Sequence, residues 1–370
     1  MGHAWIDGRP VALHAALSEA ARLLEACRAP VVAGLGADIA GARAAIALAQ
    51  RLGAAIDHMH SEAVLRDLAV MRGAGMMVTT PNVVRLTADV VLLIGAGPLD
   101  AWPELPARLL APPASSPAEE GLVRRIIRLC PGRDPAGSSA LEKAQVIGRG
   151  AEDLPVLLAA VRARVAGRAV GKTRLAAKVL DTLAADLRAA RFGVAIWSAA
   201  ELDALTIEML CGLVDDLNAA TRFSGLAVAP GDNALGVLQA CGWMTGFPMR
   251  TGFACGYPEH DPWRYDAARL VDSGEADGVL WISAYRAAAP RWKRRVPMIA
   301  LTAQGASFDQ APRVHIEVAR PGTDHDAVEH CPLSGTLVPA VATAPSKTIS
   351  VADAISHIAA ALPFAGASPC

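Results

Sequence analysis

"PVVAGLGADIAGARAAIALAQRLGAAID", residues 30–57, reads as a strand, a glycine turn, a helix and a second short strand. Its opening apolar run does not alternate with polar residues, as expected of a strand buried on both faces of a parallel sheet. A strand, a glycine turn and an acid about 20 residues further on is also the layout of a dinucleotide-binding unit. The glycines here fall at 34, 36 and 41, and Ile39 stands where the third fingerprint glycine belongs. A side chain there would hold the helix off the strand, so the stretch reads as a plain βα turn. Asp57 reads as a strand-end residue rather than a ribose ligand.

Outward from this unit, the same alternation continues. Helical periodicity at 11–28 precedes it, and apolar runs follow at 88–97, 123–129 and 144–149. After residue 170 the order repeats, with a helix at 175–190, the strand "FGVAIW", a helix at 199–219, and strands at 225–229, 276–284, 296–302 and 314–318. Leu175, Val179, Leu183 and Leu187 recur every four residues and are expected along the buried side of their helix. "ADVVLLIGAG" (88–97) and "ADGVLWISA" (276–284) are the clearest match between the halves. The pattern predicts an α/β fold of two tandem, Rossmann-like, doubly wound parallel-sheet domains, 1–168 and 169–335. A short C-terminal arm at 336–370 is expected to end in a helix at 351–361. Pro/Gly/Ser-rich loops are expected at 111–121 and 131–139.

Bulk composition narrows the function. The chain has 370 residues, 53% of them hydrophobic, enough for two cored domains. Its apolar runs are too short to span a bilayer and its start lacks a signal peptide's pattern, so a cytoplasmic protein is expected. The balance of 35 basic against 36 acidic residues gives no reason to expect nucleic acid as a partner. Seven scattered cysteines form no CxxC and read as buried apolar residues or free thiols.

Most candidate motifs read as structural. "TDHDAVEHC" (323–331) gathers His325, Asp326, Glu329, His330 and Cys331 at spacings that suit a polar loop better than a metal site. "HMH" (58–60) has no third ligand nearby in sequence. There is no GxSxG, and "GKT" (171–173) lacks the P-loop glycine. "YRAAAPRWKRR" (285–295) is a basic cluster, read either as an anion or acidic-partner patch or as a solvated helix face. The segment 229–266 reads as a long loop, with a short helix possible at 233–240, and it concentrates aromatic residues. Trp243, Phe247, Phe253, Tyr257 and Trp263 are its candidates for a partner interface.

"RFGVAIW", "LVDDLNAATRFS", "GDNALGVLQACGWMTGFPMRTGFACGYPEHDP" and "EADGVLWISA" together resemble the beta subunit of formylmethanofuran dehydrogenase, a relative of the molybdopterin oxidoreductases. "APVVAGLG", "IALAQRLGAAID" and "ADVVLLIGAGPLDAWPELPARLL" extend the resemblance over roughly residues 20–335. It implies an N-terminal iron–sulfur segment, expected to be missing here, and a molybdenum- or tungsten-binding cysteine where this chain has Ile39 or Ala40. It also implies a Cys-His pair where Ala63 and Val64 stand. Asn233 and Gly236 match a family segment near the pterin, and Gly34 and Gly36 line the matching turn.

With the soft ligand gone, the pattern is similar to the family's non-redox bacterial branch, the formyltransferase/hydrolase complexes of methylotrophs. That branch implies a structural subunit with no active site and no cofactor of its own. It would work beside three other subunits that pass a formyl group from tetrahydromethanopterin to a methanofuran-type carrier and release formate. Zinc is expected in the amidohydrolase-like partner. Two alternatives stay open at this point: an active molybdenum or tungsten dehydrogenase subunit, and an unrelated nucleotide-dependent enzyme.

Overall fold

The apolar run at 30–36 becomes a strand, Pro30–Gly36, with every residue buried. It lies within a nine-stranded sheet in the computed structural model, which describes residues 3–111, 124–130, 141–148 and 153–363. From one edge the strands run Glu259–His260, Thr251–Gly252, Ala55–Ile56, Pro30–Gly36, Gly278–Ser283, Met298–Thr302, Val314–Glu317, Ala4–Ile6 and Arg9–Pro10. The middle five are parallel and the outer pairs antiparallel. Counted along the chain, the parallel five stand in the order 2-1-3-4-5. Their direction of winding reverses between Pro30–Gly36 and Gly278–Ser283, and at such a point the chain opens a crevice at the strands' carboxyl ends.

The helix Ile39–Leu52 follows the first strand for local reasons. Asp38 accepts a hydrogen bond from the Gly41 N–H at 3.0 Å, and Gly53 ends the helix at φ 64°. Ala42, Ala45, Ile46 and Ala49 form its buried stripe, and the three alanines let the helix pack close.

A second sheet holds five parallel strands in the order Gln145–Ile147, Arg125–Leu129, Val90–Ile94, Gly193–Trp197, Phe223–Ala227. Alternate residues serve its two faces. Leu92, Ile127 and Trp197 pack with Leu158, Val161, Leu183 and Leu210, while Val91, Leu93 and Ile196 pack with Leu105 and Leu109. In the helix Ala177–Arg188 the buried stripe is Leu180, Leu183, Ala184 and Leu187, and Val179 is exposed. A strict four-residue row drifts around a 3.6-residue helix, so Val179 leaves the buried side, while Leu175 lies before the helix and packs against the same core.

The sheet pairing overturns the tandem division at 168. Val90–Ile94 pairs directly with Gly193–Trp197, so strands from either side of that boundary share one sheet. The chain instead forms two units interleaved in sequence. One takes Met1–Ser61, Asp232–His330 and Leu337–Cys370, as far as these are described. The other takes Glu62–Gly231 and Cys331–Thr336.

The expected C-terminal arm is not separate. Thr336–Ala340 pairs with Ala327–Cys331, and the helix Val351–Ala361 packs on Ile39–Leu52 and on the helix Leu13–Glu25. Nor is 229–266 an open loop. It begins with the helix Ala234–Thr245, stopped by Gly246 at φ 79°, and supplies the strands Thr251–Gly252 and Glu259–His260. The loops expected at 111–121 and 131–139 lie outside the described residues, apart from Ala111. Among the described residues no helix is long and apolar enough to cross a membrane.

Candidate functional site

The crevice of the first unit is built from the turns that follow its parallel strands. Gly34 has φ 81°, and a Cβ there would stand 2.5 Å from the Ile282 carbonyl oxygen, so only glycine lets the two central strands approach this closely. Four non-glycine residues near the crevice, Leu35, Asp232, Asn233 and Arg250, hold positive φ between 50° and 61°. Left-handed backbone is costly for such residues and persists only where the surroundings fix it, as at specialised sites.

Asp232 is the centre of this arrangement. Its side chain is fully buried. It accepts from His60 Nε2 at 2.9 Å and from Arg286 Nε at 3.0 Å, with a second contact to Arg286 Nη2. Burial works against the Asp232 charge, but the hydrogen bonds from His60 and Arg286 and the Arg286 charge outweigh it and hold the carboxyl at about 2.

His58 lies behind this pair. Its Nδ1 accepts from the His60 N–H at 3.0 Å, so the proton sits on Nε2, which donates to the Asp232 carbonyl at 3.1 Å. Burial pushes its pKa down to about 4 and keeps the ring neutral.

Asp57 turns inward. One oxygen accepts from the Ala267 N–H at 2.9 Å and the other lies 3.6 Å from Arg250 Nε. Burial, opposed by Arg250, lifts its carboxyl to about 6. Arg250 also reaches Asp266 at 2.5 Å and the Pro262 carbonyl at 2.8 Å. Asp57 is thus buried in this corner and not presented at the surface as a ribose ligand would be.

Of the residues matched to the pterin segment, the structure gathers Gly36, Asn233 and Gly236 at this crevice, with Gly34 just below. Asn233 Nδ2 donates to the Ala37 carbonyl at 2.9 Å, and its Oδ1 accepts from the His330 N–H at 2.9 Å. The amide therefore works as a clasp between two turns. Gly236 is needed for that clasp, because a Cβ there would stand 2.2 Å from Asn233 Oδ1. Beside Gly36 the space goes to Met59, 3.1 Å from an added Cβ, and to Asp232, 3.5 Å from it.

The polar stretch 323–331 is a structured strand and turn rather than a solvated loop. Glu329 accepts from the Tyr285 hydroxyl at 2.8 Å, and Asp326 accepts from the Ala342 N–H at 2.9 Å. Sequence reasoning missed Asp232, Arg250 and Arg286. The available signal was "GDNALG", since adjacent Asp and Asn are the non-glycine residues best suited to left-handed backbone.

The molybdenum or tungsten centre of the resembling enzymes does not fit these residues. Ile39 and Ala40 open a helix, and Ala63 and Val64 are buried on the helix Ser61–Ala74. None of the four offers a lone pair to a soft metal. The described cysteines are all free, and burial pushes the thiols of Cys27, Cys211 and Cys241 up to about 11 or 12, away from the thiolate such a metal needs. Among the described residues, no group of three or more His, Cys, Asp or Glu is placed to hold a metal ion.

In the second unit the winding reverses between Val90–Ile94 and Gly193–Trp197. There a carboxylate of the protein meets the backbone donors. Glu201 Oε2 accepts from the Ala96 N–H at 3.1 Å and the Gly97 N–H at 2.6 Å, the kind of donors that hold an anionic ligand in related topologies.

Four of the five aromatic interface candidates are exposed: Trp243, Phe247, Tyr257 and Trp263. Phe253 is buried and cannot face a partner; its N–H pairs with the Ala54 carbonyl at 3.2 Å, which draws it into the fold. Trp243 continues the helix Ala234–Thr245 onto the surface, and Trp263 lies under the Arg269 guanidinium at 4.3 Å.

No protein-family model matches the chain. Over 347 residues, 93% of this chain and 92% of the relative, it is 34% identical to the beta subunit of the formyltransferase/hydrolase complex Fhc of Methylorubrum extorquens. It is 27% identical over 291 residues to the beta subunit of the tungsten-containing formylmethanofuran dehydrogenase 2 of Methanocaldococcus jannaschii, covering 75% of this chain and 65% of that one. Its fold superposes with a TM-score of 0.82, at 34% identity, on a chain of the X-ray crystal structure of the FhcABCD complex of Methylorubrum extorquens with methylofuran. That match covers 96% of this chain and 97% of the other.

Proposed function

This chain belongs to the family of formyltransferase/hydrolase complex beta subunits, and on that premise we propose that it is the structural subunit of such a complex, without an active site of its own. It works in one-carbon metabolism beside three other subunits. Those subunits pass a formyl group from tetrahydromethanopterin to a methanofuran-type carrier and release formate, the last step on a zinc-bearing amidohydrolase-like partner. The complex is cytoplasmic. Both sheets of this chain are read as Rossmann-like inheritances from an ancestor shared with the dehydrogenase beta subunit. No pterin, molybdenum or tungsten is assigned to it.

The observation that carries this reading is the fate of the crevice at the first switch point. At the switch point, where a doubly wound sheet holds its ligand, Met59 and Asp232 stand against Gly36, and His60 and Arg286 hold the Asp232 carboxylate. Metal analysis together with pterin fluorescence on the natively purified complex tests it. Molybdenum and tungsten are expected at far below one atom per chain; a stoichiometric amount of either in this subunit sinks the proposal.

The exposed aromatics give a second test. Trp243 and Trp263 are 69% and 71% exposed, which is unusual for tryptophan unless a partner covers it. Trp243→Asp or Trp263→Asp is expected to release the subunit from its partners on native mass spectrometry, with its circular dichroism unchanged. Intact complexes in both variants would reject the interface.

A further inference from the structure

We infer that the connection between Gly278–Ser283 and Met298–Thr302 is a preformed cationic surface that docks an acidic face of a partner subunit, an inference that rests on the subunit reading above. In a doubly wound sheet such a crossover is normally a helix. Here residues 284–297 form no helix or strand, which corrects the alternative of a solvated helix face. The segment is nonetheless fixed. Trp292 turns inward and meets Trp281 edge to face at 5.5 Å, while Trp281 Nε1 donates to the Ala288 carbonyl at 2.8 Å. Asp272 accepts from the N–H groups of Lys293 at 2.8 Å and Arg294 at 3.0 Å, and Gln310 donates to the Lys293 carbonyl at 3.0 Å.

With the tryptophan and the backbone anchored, Arg291, Lys293, Arg294 and Arg295 are all left exposed. Among the described residues none of the four has an acidic side-chain partner, although arginines elsewhere pair readily, as in Arg269–Glu275, Arg313–Asp7 and Arg162–Asp216. Four like charges this close in sequence repel one another within a Debye length, and opposite charge on a partner removes that cost. The chain's formal net charge is only −1, so the cluster is a local feature and not an excess of base overall. A protein face suits it better than nucleic acid, because the cluster's own aromatic is turned inward and offers no ring for base stacking.

The test uses the full chain co-purified with its three partners. In the variant R291E/K293E/R294E/R295E, at least one partner is expected to be lost on native mass spectrometry. Association at low salt should slow about 10-fold or more and lose most of its salt dependence. A triple variant that keeps Arg294, whose guanidinium lies against Gly274, carries the same expectation should the quadruple variant misfold. If the wild-type chain gathers its partners and a folded variant gathers them equally at every salt concentration, the inference fails while the subunit reading stands. If the wild-type chain gathers none, both fall. Retention of single-stranded RNA by the wild type, with subunit assembly unchanged in the variant, would also overturn it.

Discussion

Replacing Asp232 by alanine is expected to destabilise the protein by about 3 kcal/mol. Removing one member of a buried ion pair costs about 3–5 kcal/mol when the charge left behind stays buried. Here the orphaned Arg286 side chain is 59% exposed and can turn to water, which moves the figure down toward about 2 kcal/mol. The backbone adds to it, because residue 232 sits at φ 57°, where alanine lacks the local hydrogen bonding that lets aspartate tolerate such a conformation, at roughly 1 kcal/mol.

Asp232→Asn separates the two contributions. It keeps a residue suited to left-handed backbone and a similar shape but removes the charge, so its loss should fall between wild type and Asp232→Ala. Urea unfolding followed by fluorescence reads all three proteins. If Asp232→Ala has the wild-type midpoint, the cluster does not support the crevice, and its role as the replacement of a ligand loses its energetic basis.

The second large effect is a pH dependence carried by His58. Its pKa is about 4 in the folded protein against 6.5 for an ordinary histidine. Above pH 6.5 both states are neutral and the contribution is fully present. As the pH falls from 6.5 toward 4, the unfolded chain takes up a proton that the folded chain refuses, and stability drops by up to about 1.4 kcal/mol per pH unit, about 3 kcal/mol in all.

Other groups act in the same range with the opposite sign. Burial lifts Asp57, and likewise Asp67 beneath Trp197, from 3.8 to about 6. The stability they contribute is present below 3.8 and is lost as the pH rises through 6, so the total curve can be nearly flat. Asp232, held at about 2, matters only below the ordinary aspartate range. The informative quantity is therefore the difference between wild type and His58→Gln, which keeps a donor toward the Asp232 carbonyl. The variant should be less stable at pH 7.5, and the gap should narrow by about 3 kcal/mol on going to pH 4. A gap that does not change with pH would show that His58 is not held neutral by burial.

How far the sequence can be read varies along the chain. The helices Ile39–Leu52 and Val351–Ala361 and the parallel strands of both sheets carry their signals within a few residues of themselves: an Asp or Ser cap, a glycine stop, an unbroken apolar run. The helix Ser61–Ala74 carries no such signal, because its apolar residues form no clear stripe. Asn233 and Gly236 are legible as a turn, and a turn is what they make. Asp232 beside them is not, because its partners His60 and Arg286 lie 172 and 54 positions away.

The sequence by itself determined the α/β class, the position of the ten parallel strands and the family resemblance. Each of these rests on local periodicity or on residue identity, and neither depends on what lies opposite. Only the tertiary structure decided that the two sheets are not tandem, that Phe253 is buried, and that Asp232 stands in the crevice beside Gly36. Those outcomes depend on which strand pairs with which across a hundred residues or more, and on hydrogen bonds that close only when distant turns meet.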